Sequence, residues 1–420
     1  MTFLTNPVVL TTPSQPGTPE AVTARGSQPR RARGRIVTIM VVASSCLPMA
    51  GRAQSTDARA ERVAHSLSRQ PQSGNATPRY TIEQEMERLH VTGASVAIVA
   101  EGKVIWAKGF GTKQFGRPEP VDTTTLFLAG SISKPVFATG ALALVERGVV
   151  SLDSDINTSL KSWQLPVSPF TQTEKVTLRR ILSHTAGLTV WGFPGYEVGK
   201  PLPTVPQILD GIAPANTVAV RNDATPGARW LYSGGGMTIA QLAVTDAAGE
   251  SFPVLMKRLV FEPLGMKRST YENPIPPSRA SETASGHEPA DTVVTGRWHV
   301  YPEMAAAGLW TTPTDLALWG VSLMKSYRGE AGGVLSPTMA REMLTPQTAL
   351  ASTGPAPERR QVRGVPPGSL WGLGVAVVGT GRDFQFAHGG RDEGFIGGVN
   401  RPGFLGGLVS REDQAHGPTE

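Results

Sequence analysis

Hydrophobic and polar positions along the 420-residue chain fall into two kinds of pattern, and their order divides the molecule. Ala94-Ser-Val-Ala-Ile-Val-Ala100 and Lys103-Val-Ile-Trp-Ala107 are short runs rich in β-branched residues on either side of Glu101-Gly102, which reads as two strands joined by a tight turn. Thr81 to Leu89, just before them, has helical character. From Pro135 to Glu146 the run Pro-Val-Phe-Ala-Thr-Gly-Ala-Leu-Ala-Leu-Val-Glu is apolar on nearly every side at helical length, which predicts a centrally buried helix. Gly148 stands where a left-handed residue would end it. Further helices are predicted at 177–183, 206–212, 237–248, 253–263, 314–325 and 337–344, separated by loops rich in Pro and Gly. Strand character returns at Leu370–Val378 and Phe384–His388. The expected architecture is α/β: a sandwich domain split in sequence over 78–160 and 346–420, and an all-helical domain over 161–345.

Composition changes this picture little. With 40% hydrophobic residues, 18% charged residues, 47 Gly and 35 Pro, the chain reads as globular and turn-rich rather than disordered or fibrous. Its net charge of +6 suggests an anionic partner until the charge is located. Arg25, Arg30, Arg31, Arg33, Arg35 and Arg52 against Glu20 place +5 of it within residues 1–53, so the remainder is near neutral and no nucleic-acid partner is expected.

Residues 1–53 have the layout of an export leader: a long basic stretch ending at Arg35, an apolar run from Ile36 to Leu47, and small residues around Gly51-Arg52-Ala53. The apolar run is too short to span a bilayer. Cys46, the single cysteine, lies inside it and can form no intramolecular disulfide. Ala43-Ser44-Ser45-Cys46 has some likeness to a lipoprotein box, but Ala43 stands where a larger aliphatic residue is usual, so a periplasmic or secreted protein is expected ahead of an anchored one. Residues 54–77 are polar and read as a linker.

The chemistry begins at Ser131-Ile132-Ser133-Lys134. In a helix, residues three apart share a face at about 5–6 Å, so Lys134 can take a proton from Ser131. Ser131 would sit at the start of the buried helix, where unpaired N–H groups favour developing negative charge. A bare S-x-x-K is also consistent with an ordinary helix cap. Tyr232-Ser233-Gly234 follows about a hundred residues later, after Pro226-Gly227 and Trp230, and His388-Gly389-Gly390 closes a strand near the end. Tyr232 can act as a base if neighbouring positive charge acidifies its phenol, or it can be an ordinary core tyrosine. No G-x-S-x-G, H-E-x-x-H or Walker loop is present, which removes support for α/β-hydrolase, zinc-protease and nucleotide-binding readings.

In this combination and order the chain resembles the class C β-lactamase superfamily, which includes family VIII carboxylesterases and D-amino-acid-specific peptidases. The resemblance runs from about Ala94 to Asn400. Its motifs are Ala129-Gly-Ser-Ile-Ser-Lys134, Leu182-Ser-His-Thr-Ala-Gly-Leu188, Pro226-Gly-Ala-Arg-Trp-Leu-Tyr-Ser233, Glu262-Pro-Leu-Gly-Met266, Gly308-Leu-Trp-Thr-Thr-Pro-Thr-Asp315 and His388-Gly-Gly390. It implies a β-lactamase/transpeptidase-like fold, an antiparallel sheet flanked by helices plus an all-helical domain. By the same resemblance Ser131 is the nucleophile, and Lys134 and Tyr232 activate it and pass its proton to the leaving group. His388 stands where the family has Lys or His, and the backbone N–H groups of Ser131 and Arg391 form the oxyanion hole. Gly234, Gly389 and Gly390 border the substrate, and His184 belongs to a structural loop motif. The implied substrate is a small ester, amide or β-lactam, with no cofactor or metal.

Two departures shape the expectation. Class C β-lactamases carry Tyr-x-Asn and Lys-Thr-Gly at the second and third motifs, so Gly234 and His388 remove an amide and an ammonium that help hold a β-lactam. Ester or peptide substrates gain accordingly. The alternatives are a D-alanyl-D-alanine carboxypeptidase-like wall enzyme or a catalytically weak penicillin-binding protein. The second departure is the C-terminus: the family usually continues with another strand and a long helix, whereas residues 389–420 hold nine Gly and show no helical period. That helix is expected to be missing and the end atypical.

Overall fold

The computed structural model describes residue 65 and residues 67–68, 79–288, 291–349, 369–379, 384–400 and 405–409. The proposed leader, Cys46 and all of the linker except residues 65 and 67–68 therefore lie outside the described residues. Leu67–Ser68 pairs antiparallel with Arg79–Tyr80 in the unit that ends at Thr81, and the residues from Ile82 onward form a second unit.

That second unit is organised around one eight-stranded sheet. Its strands are β1 (Gly93–Ala100), β2 (Lys103–Gly111), β3 (Thr348–Ala349), β4 (Leu370–Trp371), β5 (Ala376–Val378), β6 (Gln385–Asp392), β7 (Phe395–Asn400) and β8 (Leu405–Val409). They lie in the order β3-β4-β5-β6-β7-β8-β1-β2, every neighbouring pair antiparallel. The early β1–β2 hairpin thus completes a sheet whose other strands come from the last quarter of the chain.

The helices follow the predicted pattern closely. They are α1 (Ile82–Leu89), α2 (Ser133–Glu146), α3 (Leu178–Leu182), α4 (Val205–Asp210), α5 (Gly234–Ala248), α6 (Phe252–Met256), α7 (Met304–Ala307), α8 (Pro313–Arg328) and α9 (Pro337–Leu344). α6 runs on through a π-helical stretch, Lys257–Phe261, into Glu262–Leu264, so the helix predicted at 253–263 is irregular in its second half. Several starts are fixed by side-chain caps: the hydroxyls of Thr177, Thr204, Ser233, Thr312 and Ser336 each accept a backbone N–H of the first turn.

α2 is buried from Ser133 to Leu144, as its all-round apolar pattern requires. Each of its Val, Phe and Leu side chains contributes about 1.5–3 kcal/mol on burial. The helix lies against α5, α7 and the π-helical stretch. Trp319 of α8 ties to it through an indole N–H donated to Thr139 Oγ1 at 2.9 Å. α8 itself lies along β1, β2 and β8.

Two sequence expectations change. The strand expected over Leu370–Val378 is two strands, because Gly372-Leu373-Gly374 turns the chain, with Gly374 at φ 84°, and Leu370 then pairs with Val377. The glycine-rich segment after His388 is not irregular: it supplies the rest of β6 and the whole of β7 and β8. Glycine lacks the side chains whose alternation marks a strand, yet its backbone still pairs, as Gly389 with Gly398 and Gly398 with Gly407 show. The missing-helix expectation falls on 410–420, outside the described residues.

Candidate functional site

The site forms where a tight turn meets a strand. Gly130–Ile132 is a single 3-10 turn leading straight into α2, so Ser131 sits on that turn rather than within the helix proper. Gly130 adopts φ 52°, and a Cβ there would lie 2.4 Å from the backbone nitrogen of Arg391 in β6. A Cβ on Gly390 would lie 1.9 Å from the Ala129 carbonyl oxygen. Only paired glycines allow the turn and the strand to approach this closely. The approach presses the backbone of Gly130, one residue before Ser131, against Arg391.

The two serines of the motif have different surroundings. Ser133 is buried and committed: its hydroxyl donates to Gly130 O at 2.6 Å and accepts from Leu309 N–H at 2.9 Å. Ser131 is only partly buried. Its hydroxyl accepts from Lys134 Nζ at 2.9 Å, and the same nitrogen donates to the Ala306 carbonyl of α7 at 2.8 Å. Burial lowers the Lys134 pKa to about 7, with Asp392 pulling the other way. Lys134 Nζ also stands 4.9 Å from the centre of the Tyr232 ring.

Tyr232 is brought to the same point by the segment before α5. Its phenol is buried, close enough to Ser131 to feel that hydroxyl, but it makes no formed hydrogen bond. Desolvation pushes its pKa up, and the Ser131 hydroxyl offsets this only in part. Burial therefore works against the acidified phenol that a tyrosine base requires. Lysine burial, not tyrosine ionisation, places a titration near neutral pH.

His388 lies wholly inside β6. Its Nδ1–H donates to Gly389 O at 2.6 Å, leaving Nε2 as an unpartnered acceptor. Burial and the nearby Lys134 charge lower its pKa to about 3, so the ring is neutral and supplies no cation. His184, at φ 57°, accepts the Ser233 N–H on Nδ1 at 3.2 Å and packs 4.2 Å from the Tyr232 ring. That geometry suits the structural loop role expected of it. Gly234 opens α5 beside Trp191 and Phe193. Among the described residues no group of three or more His, Cys, Asp or Glu is arranged to hold a metal ion. No helix there is long and apolar enough to cross a membrane.

With this geometry in place, comparison with known proteins is direct. The Beta-lactamase family profile matches residues 79–402. The chain belongs to the beta-lactamase family. Penicillin-binding protein 4* of Bacillus subtilis (strain 168) is 26% identical over 211 residues, 49% of this chain and 44% of that protein. Esterase EstB of Burkholderia gladioli is 28% identical over 196 residues, 44% of this chain and 48% of that one. The beta-lactamase of Escherichia coli (strain K12) is 28% identical over 265 residues, 61% and 62% of the two chains. The chain thus spans about half the length of the first two relatives. Among solved structures, the octameric penicillin-binding protein homologue from Pyrococcus abyssi superposes with a TM-score of 0.58 at 22% identity, over 78% of this chain and 71% of that one. The beta-lactamase/D-alanine carboxypeptidase from Yersinia pestis gives 0.60 at 18% identity, over 80% and 91%. These two share the fold.

Within this beta-lactamase family frame, the structure adds residues that motif reading missed. Trp371 of β4 is fully buried between His184, Tyr232 and His388, at ring separations of 5.1, 6.0 and 5.5 Å. It floors the site and holds the tyrosine edge. Asp392, four residues past His388 on β6, is buried near Lys134 and accepts the Gly130 N–H, and its pKa is raised well above the usual carboxylate range by desolvation. Glu303, which precedes α7, is buried with neither carboxylate oxygen partnered, and desolvation raises its pKa to about 8. Tyr232 Oη, Asp392 Oδ2 and the Nε2 atoms of His184 and His388 are likewise buried polar atoms without partners, on side chains that feel or face Lys134. Each such atom costs about 1–3 kcal/mol, a destabilisation typical of sites organised for chemistry.

Proposed function

We propose that this beta-lactamase family member is an exported serine acyl hydrolase whose preferred substrates are small esters, with Ser131 carrying the acyl group. The reading rests chiefly on one contact: a lysine nitrogen with a pKa near 7 held 2.9 Å from a partly exposed serine hydroxyl. Neutral Lys134 takes the Ser131 proton as Oγ bonds to the substrate carbonyl carbon. The resulting oxyanion is held by the backbone N–H groups of Ser131 and Arg391. Collapse breaks the carbon–oxygen bond to the alcohol, which receives the proton from Lys134 through the still-protonated Tyr232. Water then adds to the acyl-enzyme as Lys134 accepts its proton, and collapse breaks the bond from the acyl carbon to Ser131 Oγ, which takes that proton from Lys134 as the acid leaves.

The ester preference follows from what the second and third motifs present. A β-lactam carries a carboxylate, but His388 is neutral and buried, and Gly234 offers no amide. An ester needs neither contact. The test is the ratio of kcat/KM for p-nitrophenyl butyrate to that for benzylpenicillin, with ester turnover expected to be faster. Preference for penicillin by about tenfold, equivalent to about 1.4 kcal/mol in barrier, overturns the ester assignment. The E. coli relative is a beta-lactamase and the Burkholderia relative an esterase, so the ratio also separates the two likenesses.

A further inference from the structure

The rim of the site carries a large aromatic side chain that the hydrolytic steps do not use. Trp191 is 47% exposed, and its ring centre lies 5.2 Å from that of the buried Tyr232. An exposed indole thus stands against the Tyr232 ring, whose phenol is close to Ser131. The loop holding it is rigidly clamped. Gly235 N–H donates to Val190 O and Gly234 N–H to Trp191 O, both at 3.0 Å, and the Ser233 hydroxyl donates to Thr189 O at 2.8 Å. Val190 is held at φ 62°, a left-handed conformation that a β-branched residue adopts only when its surroundings impose it. Such strain concentrates at ligand-binding positions.

The same loop occupies the space beside the second motif. A Cβ on Gly234 would lie 3.1 Å from both the Phe193 ring and the Trp191 carbonyl oxygen. A Cβ on Gly235 would lie 2.9 Å from the Thr189 carbonyl oxygen of this loop and 2.7 Å from the Val220 side chain on its other side. Where Tyr-x-Asn would present an amide, this chain places the Phe193 ring and the clamped backbone of Trp191. Trp230 and Trp371 extend the aromatic wall, with ring centres 6.3 and 6.0 Å from Tyr232.

We propose that Trp191 forms a substrate subsite for a planar aromatic ring, making it the residue that selects ring-bearing esters over aliphatic ones. A flat ring can stack on its exposed face, whereas an alkyl chain gains only partial coverage there. The proposal deepens the acyl hydrolase reading and rests on it. Three esters locate the ring: methyl phenylacetate on the acyl side, phenyl acetate on the leaving-group side, and ethyl butyrate with none. Trp191→Ala should raise KM about tenfold for at least one ring-bearing ester, leave its kcat nearly unchanged, and leave ethyl butyrate unaffected. Trp191→Phe should restore most of the loss, and Trp191→Leu should not. Equal losses on all three esters, or full function in Trp191→Leu, overturn the subsite. Binding of phenylacetate and phenol to Ser131→Ala protein, followed by ligand-observed NMR, gives a reading independent of turnover. Weakening of either by Trp191→Ala supports the subsite even if no ester is hydrolysed, and unchanged binding of both overturns it.

Discussion

Replacing Gly130 by Ala tests whether the close approach of the Ser131 turn to β6 organises the site. The new methyl would meet Arg391 N, C and O at 2.4, 2.7 and 2.8 Å, all backbone atoms that no rotamer change can move aside. The residue also sits at φ 52°. A Cβ in the left-handed region costs about 1 kcal/mol, and overpacking adds about 1–3 kcal/mol. Gly148→Ala is the control: it has φ 69° and no neighbour within 4 Å of the added Cβ, so it bears only the first cost. Urea unfolding at unchanged m should therefore show losses of roughly 2–4 kcal/mol for Gly130→Ala and about 1 kcal/mol for Gly148→Ala. Displacing Arg391 by about 1 Å should also slow acylation on the order of a hundredfold, whereas Gly148→Ala should acylate normally. Stopped-flow acylation on purified, folded protein reads the kinetic half. If Gly130→Ala loses no more stability than Gly148→Ala and acylates at the wild-type rate, the turn and β6 are not pressed together as described.

Acylation should rise with pH through a midpoint near 7 and level off above it, because Lys134 acts as a base only when neutral and burial places its pKa at about 7. Lys134→Met should abolish that limb, and a rate that falls across the same range contradicts the assignment. Glu303 has its pKa raised from 4.5 to about 8 on folding, so the native state holds the extra proton between those values and this contribution to stability is lost as pH rises through about 8. Glu303→Gln should accordingly gain stability relative to wild type between pH 5 and pH 8.5 in denaturant titrations; an equal difference at both pH values shows the carboxyl to be ionised throughout. Trp371→Ala should lower kcat by more than tenfold by releasing Tyr232, while Trp371→Phe keeps most of the rate; equal losses in the two variants mean that the indole does more than floor the ring.

Legibility in the sequence followed side-chain periodicity. The all-apolar run of α2, the β1–β2 hairpin and the capped helices were readable because burial leaves a pattern in the residues themselves. β7 and β8 were not, since Gly397, Gly398, Gly406 and Gly407 present no side chains to alternate. Gly374 split what looked like one strand, a turn chosen by its left-handed backbone rather than by hydropathy. At the site, Ser131, Lys134, Tyr232 and His388 stand together as their order in the chain suggested. Asp392 and Glu303 were missed for another reason: an acid in a loop or at a strand end looks solvated until the tertiary structure buries it. For Asp392 one signal was available, since it lies two residues from Gly390 on the same strand face as the close contact with the Ser131 turn. The sequence shows the Lys134 charge that favours an ionised Tyr232 phenol but not the burial against Trp371 and His184 that opposes it.

The central claim is that Ser131 is the nucleophile, and covalent capture tests it most directly. A fluorophosphonate probe on the purified protein, read by intact mass and peptide mapping, should add one label to the peptide containing Ser131. Ser131→Ala, shown to be folded by circular dichroism, should take none. Labelling at another residue, or undiminished labelling of Ser131→Ala, would contradict the account.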